Sequence, residues 1–162
     1  MRTKGNRAIL IGEEFVKRVI NSLMDMDVNI IKEYVKNGRK FDIILTFPKM
    51  QGVDKIIHGK ERSLANNLIK NAKSIIIIEC SKPGLRLKYI KANFGEILKL
   101  AVLDQDVLKK IRAFILVHER LRNRVYKLYV ERLNKILSPN FKIILLEYGE
   151  VKHRIAEFIE ES

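Results

Sequence analysis

The sequence predicts a single α/β domain over residues 1–162, built on a mixed central β-sheet with helices flanking it. Three observations predict it. The apolar runs 41–47 and 74–80 have the length and β-branched content of buried strands. Asn37-Gly38 stands between two strand-like runs, where Asn-Gly is the strongest short-range hairpin signal. Further on, helical and strand-like patterns alternate, as a sheet with crossover helices requires.

The elements follow in order. Residues 8–24 carry Phe15, Val16, Val19, Ile20 and Leu23 at helical spacing and form a first helix. At 100° per residue, Glu13 falls on its inward side near Val16 and Ile20, and Glu14 on the wet side. Residues 28–36 and 39–47 make the hairpin. Pro48 ends its second strand, and 50–54 reads as a loop. Residues 58–71 read as a helix with Leu64, Leu68 and Ile69 inward. The near-continuous isoleucine run 74–80 is a central strand covered on both faces, broken by Ser81-Lys-Pro-Gly84. An extended approach through Lys88 and Lys91 leads into a helix around Phe94, Ile97, Leu98 and Ala101. Strand 113–117, a long basic helix 122–137, strand 141–146 and an amphipathic helix 151–161, with Ile155, Phe158 and Ile159 inward, complete the chain.

Composition narrows the function classes. With 47% apolar residues in 162, the chain has material for one proper core. Its net charge of +13 and pI near 9.9 favour a polyanionic partner. No apolar run is long enough to span a bilayer, and the apolar stretch after the N-terminus is too short for a secretion signal, so the expectation is a cytoplasmic protein without a membrane partner. The lone Cys80 excludes an internal disulfide and a Cys-rich zinc site, and reads as a small buried hydrophobe. Abundant Ile, Lys, Arg and Glu against two Gln lean towards a thermophilic source.

Two residues stand out against this background. Asp42 and Glu79 each put a carboxylate into a run that should bury none, and a carboxylate taken from water needs a partner, hydrogen bonds or a cation. With Lys82 just beyond the second strand, they make a candidate magnesium site. Hard cations take oxygen donors, so Asp42, Glu79 and the Cys80 carbonyl are the expected ligands of magnesium or manganese, with Lys82 orienting a water. His58, His118 and His153 lie in separate segments without ligand spacing and read as surface or boundary residues. The basic cluster Lys109, Lys110, Arg112, Arg120, Arg122, Arg124, Lys127 and Arg132 reads as a nucleic-acid footprint. Within it Arg120, Arg122, Arg124 and Lys127 are the leading phosphate contacts, joined by Lys88. Tyr126 and Tyr129 add aromatic surface there or pack inward.

A helix bearing a glutamate, a hairpin with Asp42 in Phe-Asp-Ile-Ile, and an isoleucine strand ending in Glu79 and a lysine resemble the PD-(D/E)XK nuclease superfamily, to which archaeal Holliday-junction resolvases and restriction endonucleases belong. The resemblance covers the first two-thirds in order of elements. It implies a restriction-endonuclease-like fold and metal-dependent hydrolysis of phosphodiester bonds in DNA, with branched or junction duplexes as a substrate class. By position it makes Asp42 and Glu79 the metal carboxylates, Lys82 the catalytic lysine and Glu13 the helix-one glutamate.

Two departures bear on activity. The family's Glu-X-Lys spacing is here Glu79-Cys-Ser-Lys82, one residue longer, which on a regular strand turns the lysine to the other face. Either the chain turns before Pro83, or Lys88 reaches in, or the site is inactive. The connection between Asp42 and Glu79 is also long, and Phe41 stands where the family commonly has Pro. The competing expectation is therefore a non-catalytic nucleic-acid-binding protein with a degenerate nuclease-like fold. A nucleotide-binding α/β protein has less support, for want of a glycine-rich phosphate loop. Resolvase-like nucleases are commonly dimers, and the apolar runs leave room for a homodimer.

Overall fold

A computed structural model of the chain describes residues 4–81, 95–121 and 125–161. The order is α1 (Lys4–Ser22), β1 (Asn29–Lys36), β2 (Arg39–Phe47), β3 (Ile56–His58), α2 (Arg62–Asn71), β4 (Ser74–Cys80), a 3-10 helix (Gly95–Val102), α3 (Gln105–Leu108), β5 (Ile111–His118), α4 (Val125–Asn134), β6 (Lys142–Glu147), a 3-10 turn (Tyr148–Glu150) and α5 (Val151–Glu160). The six strands form one sheet in the order β3-β1-β2-β4-β5-β6. β2 pairs antiparallel with both β1 and β4, and the other pairings are parallel. Only β2 runs against the rest. The carboxyl ends of β1, β4, β5 and β6 therefore share one edge of the sheet with the start of β2.

Alternation along the strands divides the core between two faces. Ile30, Ile43, Leu45, Ile76, Ile78, Ile115 and Val117 pack with Phe15, Val19 and Leu23 of α1 and Val151 and Ile155 of α5. Ile31, Ile44, Ile75, Ile77, Phe114 and Leu116 pack with Ala65, Leu68 and Ile69 of α2 and with the 3-10 segment. This is the α/β single domain with a mixed sheet that the patterning predicts.

Several expectations are corrected locally. α2 begins at Arg62, because 56–58 forms the short edge strand β3 beside β1. Among the described residues the basic helix is α4, Val125–Asn134, which ends three residues before the expected 137, while the expected start at 122 lies outside the described residues; Leu128, Tyr129 and Leu133 lie exposed on it. Segment 95–102 coils with a three-residue period, so Ile97 and Leu100 align inward while Leu98 and Ala101 align outward. Glu13 is exposed like Glu14. The buried arc of α1 is carried by Phe15, Val19, Ile20 and Leu23, and Glu13 lies roughly 90° from its centre.

The hairpin turn has Asn37 at φ 48° and Gly38 at φ 74°, the two left-handed residues of a type I′ turn. Gly38→Val forces a β-branched residue into that region and is expected to lower stability by about 1 kcal/mol or more, read as a reduced melting temperature.

Candidate active-site edge

The carboxylates in β2 and β4 have a structural reason. Ile43↔Ile78 is the last backbone pair between the strands, and Asp42 and Glu79 occupy the next opposed position. There the side chains take over the ladder. The Asp42 N–H donates to Glu79 Oε2 at 2.9 Å, and the Cys80 N–H donates to Asp42 Oδ2 at 3.0 Å. Each carboxylate thus satisfies a backbone donor of the opposite strand, which a hydrophobic side chain there would leave unpaired.

Glu79 is 3% exposed, and Lys99 from the 3-10 segment donates to its Oε1 at 2.5 Å. Lys99 also pairs with Glu96 one 3-10 turn earlier. Burial, then the neighbouring Asp42 charge, push the Glu79 carboxyl up to about 8, against the opposing pull of Lys99. Burial works against the Lys99 ammonium, but Glu79 and Glu96 outweigh it and hold the amine more firmly protonated than usual. Burial pushes the half-buried Cys80 thiol up, with help from Asp42 and Glu79, so at neutral pH it is no thiolate nucleophile. The cluster holds three carboxylates and one ammonium.

The predicted residues separate accordingly. Asp42, Glu79 and the Cys80 backbone meet at one point, whereas Glu13 lies exposed on α1, and Lys82, Lys88, Arg122 and Arg124 lie outside the described residues. Lys127 is tied to Glu150 at 2.7 Å, and Lys110 caps the last turn of α2 through the carbonyls of Ile69 and Lys70. Arg120 is exposed just past β5, at the same sheet edge as the carboxylates. Lys99 was not foreseen, although a signal for it was present: it is the one charge in the apolar run Ile97-Leu-Lys-Leu-Ala-Val102.

Two histidines extend the edge. His118, read from sequence as a surface or boundary residue, is 1% exposed at the end of β5, and neither ring nitrogen has a hydrogen-bond partner. β5 is covered on both faces, and burial pulls His118 down to about 4, so its ring is neutral at pH 7. His58 Nε2 lies 2.7 Å from Glu33 Oε2, and its Nδ1 accepts the Lys60 N–H at 3.0 Å, placing the proton of the neutral ring on Nε2. Glu33 stands opposite Asp42 in the hairpin with φ 55°, a left-handed conformation uncommon for such a side chain. His58 holds its carboxyl below the usual range. His153 is exposed beside Glu157.

Compared with protein-family models, curated proteins and solved structures, the chain matches none. Among the described residues no helix is long and apolar enough to cross a membrane.

Proposed function

We propose that the protein is a metal-dependent nuclease acting on DNA, of the PD-(D/E)XK kind. The observation that carries this reading is the opposed Asp42–Glu79 pair where the start of β2 meets the carboxyl end of β4, with Lys99 on Glu79. The path of the chain is compatible with it: α1, the β1–β2 hairpin, then, after the inserted β3 and α2, β4 antiparallel beside β2, followed by a crossover to the parallel strand β5.

The donor set fits magnesium or manganese. Among the described residues no three ligating side chains are gathered into a cage, but magnesium takes one or two carboxylates and keeps several waters. Asp42, Glu79 and the Cys80 carbonyl would hold it, and a divalent cation there would offset both causes that hold the Glu79 carboxyl protonated, its burial first and the neighbouring Asp42 charge second. Bound there, the ion supplies charge stabilisation for the phosphoryl oxygens and a more acidic water. Lys99, protonated and fixed by Glu79 and Glu96, takes the part that the family resemblance gave to Lys82: it orients Glu79 and places a positive charge beside the scissile phosphate.

One observation favours the non-catalytic reading. The mutual hydrogen bonds and Lys99 already account for both carboxylates as structural groups. Incubating the protein with linear, flapped and four-way DNA in magnesium or manganese separates the two. Metal-dependent cleavage of any of them supports the nuclease; intact substrates under all conditions, with DNA still bound, establish a binding protein.

The basic surface gives a separate expectation. Replacing Arg120, Arg122 and Arg124 by Ala should weaken duplex binding regardless of sequence and flatten the log–log salt dependence by about 2 or more, since each phosphate contact contributes roughly 0.9. Lys127→Ala, which removes an amine already paired with Glu150, should leave the slope unchanged. Equal slopes for the triple variant and the wild type, measured by salt titration, would place the footprint elsewhere.

A further inference from the structure

We propose that the cavity between α2, the end of β1 and the α3 segment binds a nucleoside monophosphate. The cavity measures about 790 Å³, inside the range of roughly 300–1,000 Å³ usual for small-molecule sites. Neither Asp42 nor Glu79 lines it, so this reading stands without the nuclease proposal. Its inner wall is apolar: Ile69 of α2, Leu103 and Tyr34 are buried, and Val107 of α3 packs against the same core. Beside that wall the Tyr34 hydroxyl donates to Asn66 Oδ1 at 2.7 Å. No other described residue takes up the Asn66 amide hydrogens, which are left to donate to a ligand.

The rim is cationic. Lys36, Lys70, Lys109 and Lys110 all line the cavity, and like charges gathered around one concave space draw an anion into it. Lys110 is fixed by the carbonyls of Ile69 and Lys70, at 3.2 and 2.5 Å, and keeps a further N–H for the cavity. Lys70 and Lys109 are exposed and have no partner among the described residues. Two acidic residues narrow the class of anion. Asp104, 3.7 Å from Lys36, and Asp106 also line the cavity, where they would repel the continuous phosphate backbone of a nucleic-acid strand. A nucleoside monophosphate uses every wall: its phosphate takes Lys70, Lys109 and Lys110, its sugar hydroxyls donate to Asp104 or Asp106, and its base covers Tyr34, Leu103 and Ile69. Inorganic phosphate leaves the apolar wall and the carboxylates unused, and a nucleoside leaves the lysines unused. Lys109 and Lys110 then belong to this cavity and not to the nucleic-acid cluster in which the sequence places them.

Isothermal titration calorimetry of the full chain tests this in EDTA, where no divalent cation contributes and nuclease activity plays no part. The probes are AMP, GMP, CMP and UMP, with adenosine and inorganic phosphate as partial ligands. At least one monophosphate should bind once per chain, about tenfold or more tighter than either partial ligand, because each of those forfeits a wall. Lys70→Glu/Lys109→Glu changes two exposed positions and should weaken that binding about tenfold or more with an unchanged circular dichroism spectrum. Excess duplex DNA should not displace the nucleotide. The proposal is overturned if no monophosphate binds below about 1 mM, or if phosphate binds as tightly as every monophosphate. It is equally overturned by a double variant that binds like the wild type, or by displacement with duplex DNA, which would return these lysines to a nucleic-acid footprint.

Discussion

Glu79→Gln should lower metal-dependent DNA cleavage on the order of 10³-fold while leaving DNA affinity unchanged or slightly raised, and Asp42→Asn should do the same. Each substitution removes one of the two carboxylate ligands from the edge where the phosphate would sit, yet preserves the shape of the side chain. The same residue supplies a test by stability. The Glu79 carboxyl lies near 8 in the folded chain against an ordinary 4.5, so between these values the folded state holds a proton that the unfolded state has lost. Its contribution is fully present below about pH 4.5 and disappears as pH rises towards 8, a loss on the order of a few kcal/mol. The wild type should therefore lose melting temperature relative to Glu79→Gln between about pH 5 and pH 8. Magnesium should restore it in the wild type and not in the variant, because only the wild type offers a carboxylate there. Parallel pH profiles for the two proteins, with no magnesium response, would remove Glu79 from the metal site. Lys99→Ala separates the lysines: it should reduce cleavage and raise the Glu79 carboxyl further, whereas cleavage lost only on Lys82→Ala returns the catalytic role to Lys82.

Gly59→Val should cost about 3 kcal/mol or more, enough to unfold a marginal domain. A Cβ at Gly59 would stand 2.7 Å from the Glu33 carbonyl carbon and 2.5 Å from Tyr34 Cα, and the backbone of a paired strand cannot give way as a side chain can. Gly59 is also held in place, since its N–H donates to Lys32 O at 2.7 Å. The collision falls on Glu33, already in a left-handed conformation and directly opposite Asp42 in the hairpin. Urea denaturation should show a midpoint shift for Gly59→Val and a smaller one for Gly59→Ala. Gly149→Ala, where an added Cβ meets nothing within 4 Å, should stay within about 0.5 kcal/mol of the wild type. A Gly59→Val protein as stable as the wild type would mean that β1 and the start of the α2 loop are not so closely apposed.

The strands other than β3, the Asn37-Gly38 turn and the inward apolar faces of α1, α2 and α5, though not the side of α1 on which Glu13 lies, are legible along the chain, because each is dictated by residues within one or two turns of each other: apolar runs, a β-turn dipeptide, a 3.6-residue period. Asp42 and Glu79 were legible as anomalies for the same reason, each being a charge in a local apolar pattern. That they stand opposite one another, each holding the other strand's N–H, depends on the register of β2 against β4 across a sequence separation of 37. The choice of Lys99 as their cation, the isolation of His118 and the closeness of Gly59 to Glu33 likewise belong to the tertiary structure. Local patterning decides whether a segment can be buried as a strand or a helix. Which charge ends beside which is decided only when the sheet closes and burial removes the water that would otherwise have served as every polar group's partner.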